Sequence, residues 1–256
     1  MNQYFVASSF LRHAIRHRGY VGALSSSYLV MAASTFAQIG LVPLYLGAFG
    51  EYQFGVLMIL LNFVNFAVIG IAWMSGGALR MLGEFAGRED NDSFRRGFGL
   101  IKAVYVGYGC LMAIILSFLA FSLEEKLFSD GTDADIQMSG ATLFLTGIYL
   151  IPFYAASVDR LALTARKRQG AANLAQLAGI IASAVCVFLW LDVGGNMPGV
   201  MAFQIIGALI SMIVSRWLLN HEMSGLQLRF PSGHDTGLFR QLCGKTVAGF
   251  FLPGLL

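Results

Sequence analysis

Two arginines and two asparagines are the best candidates for binding a ligand, because each lies in or beside a long apolar run. Arg80 and Arg160 carry guanidinium groups, which can bind phosphate oxygens through paired hydrogen bonds. Asn62 and Asn65 are one helical turn apart, so a helix places both amides on one face. We predict that these four side chains bind substrate. The alternatives are interhelical hydrogen bonds for the amides and interfacial snorkelling for the arginines.

A second candidate is the segment Pro231-Ser232-Gly233-His234. It resembles one of three signatures of the lipid phosphatases related to phosphatidic acid phosphatase, in which the histidine acts on a phosphate ester. The other two signatures are not found, since the chain contains neither Arg-Pro nor Ser-Arg-x5-His-x3-Asp. A polar turn built on Pro and Gly is the better explanation of a lone four-residue match.

No other pattern in the sequence indicates catalysis. Gly244-Lys245-Thr246 hints at a phosphate-binding loop, but Phe239 occupies the position of the required first glycine. The four histidines do not have metal-ligand spacing with Cys or carboxylates. We find no arrangement of a nucleophile with a base either. The sequence therefore predicts no enzyme activity, no cofactor and no metal.

The composition is that of a membrane protein. Hydrophobic residues make up 57% of the chain and charged residues 12%, whereas soluble domains average about 25% charged residues. Six uncharged or nearly uncharged runs are each long enough to cross a hydrocarbon core of about 30 Å. The net charge is +3, and the basic residues lie in short loops beside these runs. Anionic lipid head groups explain basic residues at that position, so the charge does not indicate nucleic-acid binding. Three scattered cysteines do not suggest a disulfide framework.

The predicted fold is all-α, a polytopic transmembrane bundle of six complete spans and the start of a seventh. Backbone groups in lipid must be paired, and the runs lack the alternation of barrel strands. Residues 1–20 form an amphipathic cytoplasmic N-terminus, 21–219 the six-helix bundle, and 220–256 a cytoplasmic loop with the beginning of the seventh helix. We expect the six helices at about 21–47, 53–80, 97–123, 137–160, 171–192 and 197–219.

The distribution of positive charge predicts the orientation. All Lys and Arg residues except Lys126 fall in alternate gaps between the runs. By the positive-inside rule, the N-terminus and segments 81–96, 161–170 and 220–245 are cytoplasmic. Segments 48–52, 124–136 and 192–197 are then outside, and the chain is a multi-pass membrane protein.

Several short motifs are distributed along the chain: Pro43-Leu44-Tyr45-Leu46-Gly47, Tyr52-Gln53-Phe54-Gly55, Gly70, Ala78-Leu79-Arg80, Gly83-Glu84 and Leu238-Phe239-Arg240. Together they resemble the start of a bacterial polysaccharide or O-antigen flippase of the multidrug/oligosaccharidyl-lipid/polysaccharide exporter superfamily. The resemblance implies two six-helix bundles around a central cavity, of which this chain covers the first. It also implies a transporter that moves undecaprenyl-diphosphate-linked oligosaccharide from the inner to the outer leaflet.

In this interpretation the arginines attract the diphosphate and the asparagines bind sugar hydroxyls. Membrane lipid and a C-terminal half are the other implied partners, and no carboxylate lies well inside a span to couple transport to an ion. Two alternatives come from other classes. One is a lipid phosphatase that uses His234, and the other is a non-catalytic membrane subunit.

Overall fold

The computed structural model describes residues 3–122, 133–223, 237–238, 240 and 242–244, with side chains described from residue 22 in the first range and from residue 136 in the second. Five helices account for the first two ranges. They are α1 (Gln3–Gly87), α2 (Asn91–Ser122), α3 (Asp133–Ala165), α4 (Gln169–Asp192) and α5 (Met197–Glu222). All five are long and apolar enough to cross a membrane, so the chain is an all-helical, multi-pass membrane protein.

The predicted count of six spans plus a seventh is not confirmed. The helices expected at 21–47 and 53–80 belong to the single element α1, whose one non-helical residue is Gly50. Residues 3–20 continue the same helix. The other four spans begin or end within several residues of the expected positions. The expected seventh helix after Lys245 lies outside the described residues.

The chain reverses direction at Gly50. Asn173 donates hydrogen bonds to Ser26 and Ser27 at 2.8 and 3.0 Å, while Ala86 lines one cavity with Arg166. A straight helix would hold residues 26 and 86 about 90 Å apart. Residues 166 and 173 can be at most about 25 Å apart. The arms on the two sides of Gly50 therefore run back along one another. The φ angle of 73° explains why glycine occupies this position.

Helix α3 is the centre of the bundle. In its apolar window 56% of the residues are buried, against 28% in each of the other four helices. It packs against α2 on one side and α5 on the other, and residues from all three helices share the hydrophobic core. More than half of the apolar window of α3 is therefore buried by the other helices.

Helices α4 and α5 cross at very close range. A Cβ added at Gly179 would lie 2.6 Å from the Gly207 carbonyl oxygen, and one added at Gly207 would lie 2.6 Å from Ser183 Cβ. Only residues without a side chain permit this approach, as at small-residue contacts between membrane helices. At one end of the pair, the Trp190 indole donates to the Asn196 carbonyl at 3.1 Å. The two helices are thus joined at their crossing and at their connecting turn.

Candidate functional site

An ion pair lies inside the bundle where α2 meets α3. Lys102 Nζ is 2.7 and 2.9 Å from the two oxygens of Asp159. The side chains are 6% and 0% exposed. Charged groups in a membrane bundle are expensive to bury and are retained where they pair or serve a function. The pair therefore defines a polar centre in the most buried part of the described chain.

A third charge reaches the same carboxylate from α5. Arg216 Nη1 is 3.9 Å from an Asp159 oxygen, so it lies at the outer limit of an ion pair. The Phe98 ring lies beside both cations, with Lys102 Nζ 5.5 Å and the Arg216 guanidinium 5.7 Å from its centroid. Each contact has the geometry of a cation–π interaction. Asp159 thus connects α2 and α5 through α3.

Arg160 adds another cation on the next residue of α3. Its guanidinium donates to Ser211 of α5 at 2.8 Å and to Ser157 at 3.0 Å. The hydroxyls satisfy hydrogen bonds but carry no charge. The Arg160 side chain is thus held in the interior between α3 and α5, and it does not extend along the membrane interface as a snorkelling residue would.

These four residues, Lys102, Asp159, Arg160 and Arg216, are called the interior charge cluster below. It holds three cations and one carboxylate, so its formal charge is two positive units. Opposite charges attract more strongly in a low-dielectric interior than in water. The cluster can therefore anchor three helices to one carboxylate and also produce a positive potential at this end of the bundle.

Two tyrosine hydroxyls lie near this cluster. Tyr105 follows Lys102 by one turn of α2, and its ring contacts the Tyr154 ring of α3 edge-on at 6.3 Å. Both hydroxyls are buried and have no hydrogen-bond partner among the described residues. Buried hydroxyls normally have a partner in the protein or in ordered water. This layer between α2 and α3 thus has hydrogen-bonding capacity that the described protein groups do not use.

The structure separates the four predicted substrate-binding residues into two groups. Asn62, Asn65 and Arg80 are exposed on the second arm of α1. Eighteen residues, about five full turns, separate Asn62 from Arg80, so they share one face. We call this set the polar face of α1. Arg160 belongs instead to the interior charge cluster, bonded to Ser157 and Ser211.

Sequence reasoning missed Lys102, Asp159 and Arg216 as a set. In the sequence each of them marks the limit of an uncharged run, and nothing in their spacing pairs them. The available signal was that Asp159 is the only acidic residue in the segment 159–168, which otherwise carries basic residues alone as its charged groups. A lone carboxylate of that kind is a natural partner for a cation on a neighbouring helix. The register that selects Lys102 depends on helix packing, which the sequence alone did not provide.

The remaining candidates add no further site. His234 and its neighbours lie outside the described residues. Within the described part of the chain, no group of three or more His, Cys, Asp or Glu side chains could hold a metal.

Comparisons with known protein families, with curated proteins and with solved structures found no match.

Proposed function

We propose that this chain is the first half of a bacterial membrane transporter that flips lipid-linked oligosaccharide from the inner to the outer leaflet. The observation that carries the proposal is the polar face of α1. A guanidinium and two amides are exposed on a helix long and apolar enough to cross a membrane. Such groups are unfavourable in lipid and normally face a bundle interior or a water-filled path.

The same face fits an amphiphilic substrate. Ile69 and Trp73 lie between the amides and Arg80 and are 66% and 47% exposed. A lipid-linked sugar presents hydroxyls, a diphosphate and a hydrocarbon chain. In the proposal, Asn62 and Asn65 hydrogen-bond sugar hydroxyls, and Arg80 pairs with the diphosphate. A C-terminal bundle would cover this face from the opposite side.

Arg160 has a different role in this proposal. Its guanidinium is already bonded to two hydroxyls, so it is less available to bind diphosphate directly. With Lys102 and Arg216 it contributes the positive potential that attracts an anionic head group toward the bundle. Direct binding is assigned to Arg80, and attraction is assigned to the interior charge cluster.

The proposed topology follows from the reversal at Gly50. If each arm of α1 crosses the membrane, the described chain makes six crossings. Both ends of the six-crossing bundle then lie on the side that carries most Lys and Arg, which is cytoplasmic under the positive-inside rule. In this proposal the enclosing membrane is a bacterial inner membrane.

The transport test is Arg80→Ala in the intact protein, reconstituted in vesicles with a fluorescent diphosphate-linked oligosaccharide. We expect translocation to fall at least tenfold, because a charge-assisted hydrogen bond contributes about 1.5–3 kcal/mol. Arg80→Lys should retain part of the activity, because lysine keeps the positive charge but cannot form the bidentate hydrogen bond to phosphate. Arg88→Ala is the matched control, because Arg88 is also exposed but lies beyond the end of α1.

The proposal fails if Arg80→Ala and Asn62→Leu both transport at the wild-type rate. A wild-type chain that hydrolyses a phosphate ester in the same vesicles would instead favour the phosphatase interpretation.

Chain orientation is tested separately by placing a single cysteine at Val193 or at Asp92 in a cysteine-free background. An impermeant thiol reagent applied to intact cells should label the first and spare the second, and the reverse pattern would invert the topology.

A further inference from the structure

A cavity of about 400 Å³ lies where α1 ends, α2 begins and α3 ends. It is lined by residues that follow or precede the apolar helices, including Glu89, Asn91, Arg166 and Lys167. These residues lie between the candidate spans Gly22–Gly87, Asn91–Ser122 and Ile136–Ala165, or at their limits. If these three spans cross the membrane, the cavity lies at the depth where lipids carry their polar head groups. We call it the helix-end cavity.

Two glycines form part of the cavity wall. Gly83 and Gly87 are four residues apart on α1, a spacing that often marks a close contact between membrane helices. Here that explanation fails, because a Cβ added at either residue would meet no atom within 4 Å. By contrast, the glycines at the α4–α5 crossing meet backbone within 3 Å. The small residues at 83 and 87 thus leave space in the cavity and are not required for packing.

The cavity wall carries charges of both signs. Arg166 is fixed, since its Nη2 donates to Asn91 Oδ1 at 2.6 Å and its guanidinium lies 4.6 Å from the Phe94 ring centroid. Glu89 and Lys167 are exposed on the same cavity. No ion pair within 4 Å joins either of them to another described residue. Arg166 keeps donor capacity, because its Nε has no hydrogen-bond partner among the described residues. With Lys167 and Glu89, the wall therefore offers two cations and a carboxylate to a ligand.

The backbone holds Glu89 and Lys167 in an unusual conformation. Their φ angles are 57° and 61°, and they are the non-glycine residues with positive φ in the described chain. Each follows the end of a helix, the position where glycine is the common choice. Residues held in such conformations are concentrated at functional sites. Both residues are charged and both line the same cavity, so two charged side chains stand where glycine would fit the backbone better.

We propose that the helix-end cavity binds the head group of phosphatidylethanolamine. Arg166 and Lys167 take the phosphate, and the Glu89 carboxylate takes the ammonium. This head group carries an anion and a hydrogen-bonding cation a few bonds apart, matching the two signs on the wall. Phosphatidylglycerol lacks the cation, and the trimethylammonium of phosphatidylcholine has no N–H to donate to Glu89. The inference is independent of the transport proposal.

The test is native mass spectrometry of the delipidated full chain in detergent, titrated with each of the three phospholipids. We expect phosphatidylethanolamine to bind about tenfold more tightly than phosphatidylcholine, the effect of one charge-assisted hydrogen bond. Glu89→Gln should abolish that preference. Gly87→Leu should block all binding at this site by filling the cavity, and Gly107→Leu is its control, because Gly107 is exposed on α2 with open space around it.

Lys167→Gly separates binding from folding. Glycine suits the positive φ, so the melting temperature should be unchanged or higher while binding of every phospholipid weakens. O-phosphoethanolamine and inorganic phosphate, added as competitors, distinguish the head group from a simple anion. The proposal is overturned if phosphate competes as well as O-phosphoethanolamine. It is also overturned if wild type binds the three lipids equally, or if Glu89→Gln keeps the preference.

Discussion

Removing either partner of the buried ion pair should destabilise the protein, and the two losses should differ in size. Asp159→Asn leaves Lys102, Arg160 and Arg216 in the interior without the cluster's carboxylate. Lys102→Met leaves Asp159 with a second cation already 3.9 Å away. We expect a small movement of the Arg216 side chain to bring its guanidinium into hydrogen-bond distance of the Asp159 oxygen that Lys102 no longer contacts. We therefore expect Asp159→Asn to be the more damaging change.

The magnitudes follow from burial and distance. Breaking a buried pair by removing one partner costs about 3–5 kcal/mol, because the other charge remains buried. Asp159→Asn should fall in this range. Lys102→Met should cost about 1–3 kcal/mol, because a charged hydrogen bond to Arg216 recovers about 1.5–3 kcal/mol. The double substitution Lys102→Met with Asp159→Leu removes both charges and should cost less than Asp159→Asn alone.

The assay is reversible unfolding of the purified protein in mixed detergent micelles, followed by tryptophan fluorescence. Glu222→Gln is the matched control, since it breaks an ion pair of similar length, 2.9 Å, whose side chains are 59% and 35% exposed. An exposed pair contributes about 0–1 kcal/mol. The reasoning is refuted if Lys102→Met is as damaging as Asp159→Asn, or if the control is as damaging as either.

Three further outcomes are expected. Gly179→Ala should destabilise the α4–α5 crossing by about 1–3 kcal/mol because the added methyl overlaps backbone, whereas Gly107→Ala should stabilise its open helical site by up to about 1 kcal/mol; equal effects in thermal unfolding would contradict this. Tyr154→Phe should not lower the melting temperature, because its hydroxyl has no described partner; a clear loss would reveal a bound water or ligand. Asp90 accepts a hydrogen bond from the Ser93 amide, which lowers the pKa of the Asp90 carboxyl in the folded protein. The carboxylate therefore stabilises the fold above about pH 4, and this contribution is lost as the pH falls through the lowered pKa. Asp90→Ala should reduce the pH dependence of the circular-dichroism signal in that acid range.

The membrane class and the helical fold could be predicted from the sequence, because the apolar runs are long and separated by charges. The expected connection at 48–52 contains Gly50, where the chain reverses. The face shared by Asn62 and Asn65 also followed from helical periodicity, and Arg80 joins it because the second arm of α1 is one continuous helix. These features depend on short-range rules, so a single sequence is enough to find them.

The interior charge cluster could not be predicted in the same way. Lys102 and Asp159 are 57 residues apart, and their contact depends on how α2 and α3 pack. Arg160 looked like an interfacial residue because it ends an apolar run, yet α3 continues to Ala165 and places it between helices. The glycines at 83 and 87 fitted a contact motif by spacing, but only three-dimensional neighbours distinguish a contact from a cavity wall.

The joined pair of α4 and α5 has a consequence for motion. With backbone touching backbone at Gly179 and Gly207, the two helices cannot slide past one another without steric overlap. The Trp190 indole bridges their connecting turn through its bond to Asn196. We therefore expect α4 and α5 to move together as one unit. Any opening and closing of the bundle has to take place at the other interfaces, where α3 meets this pair through the charges of Asp159 and Arg216.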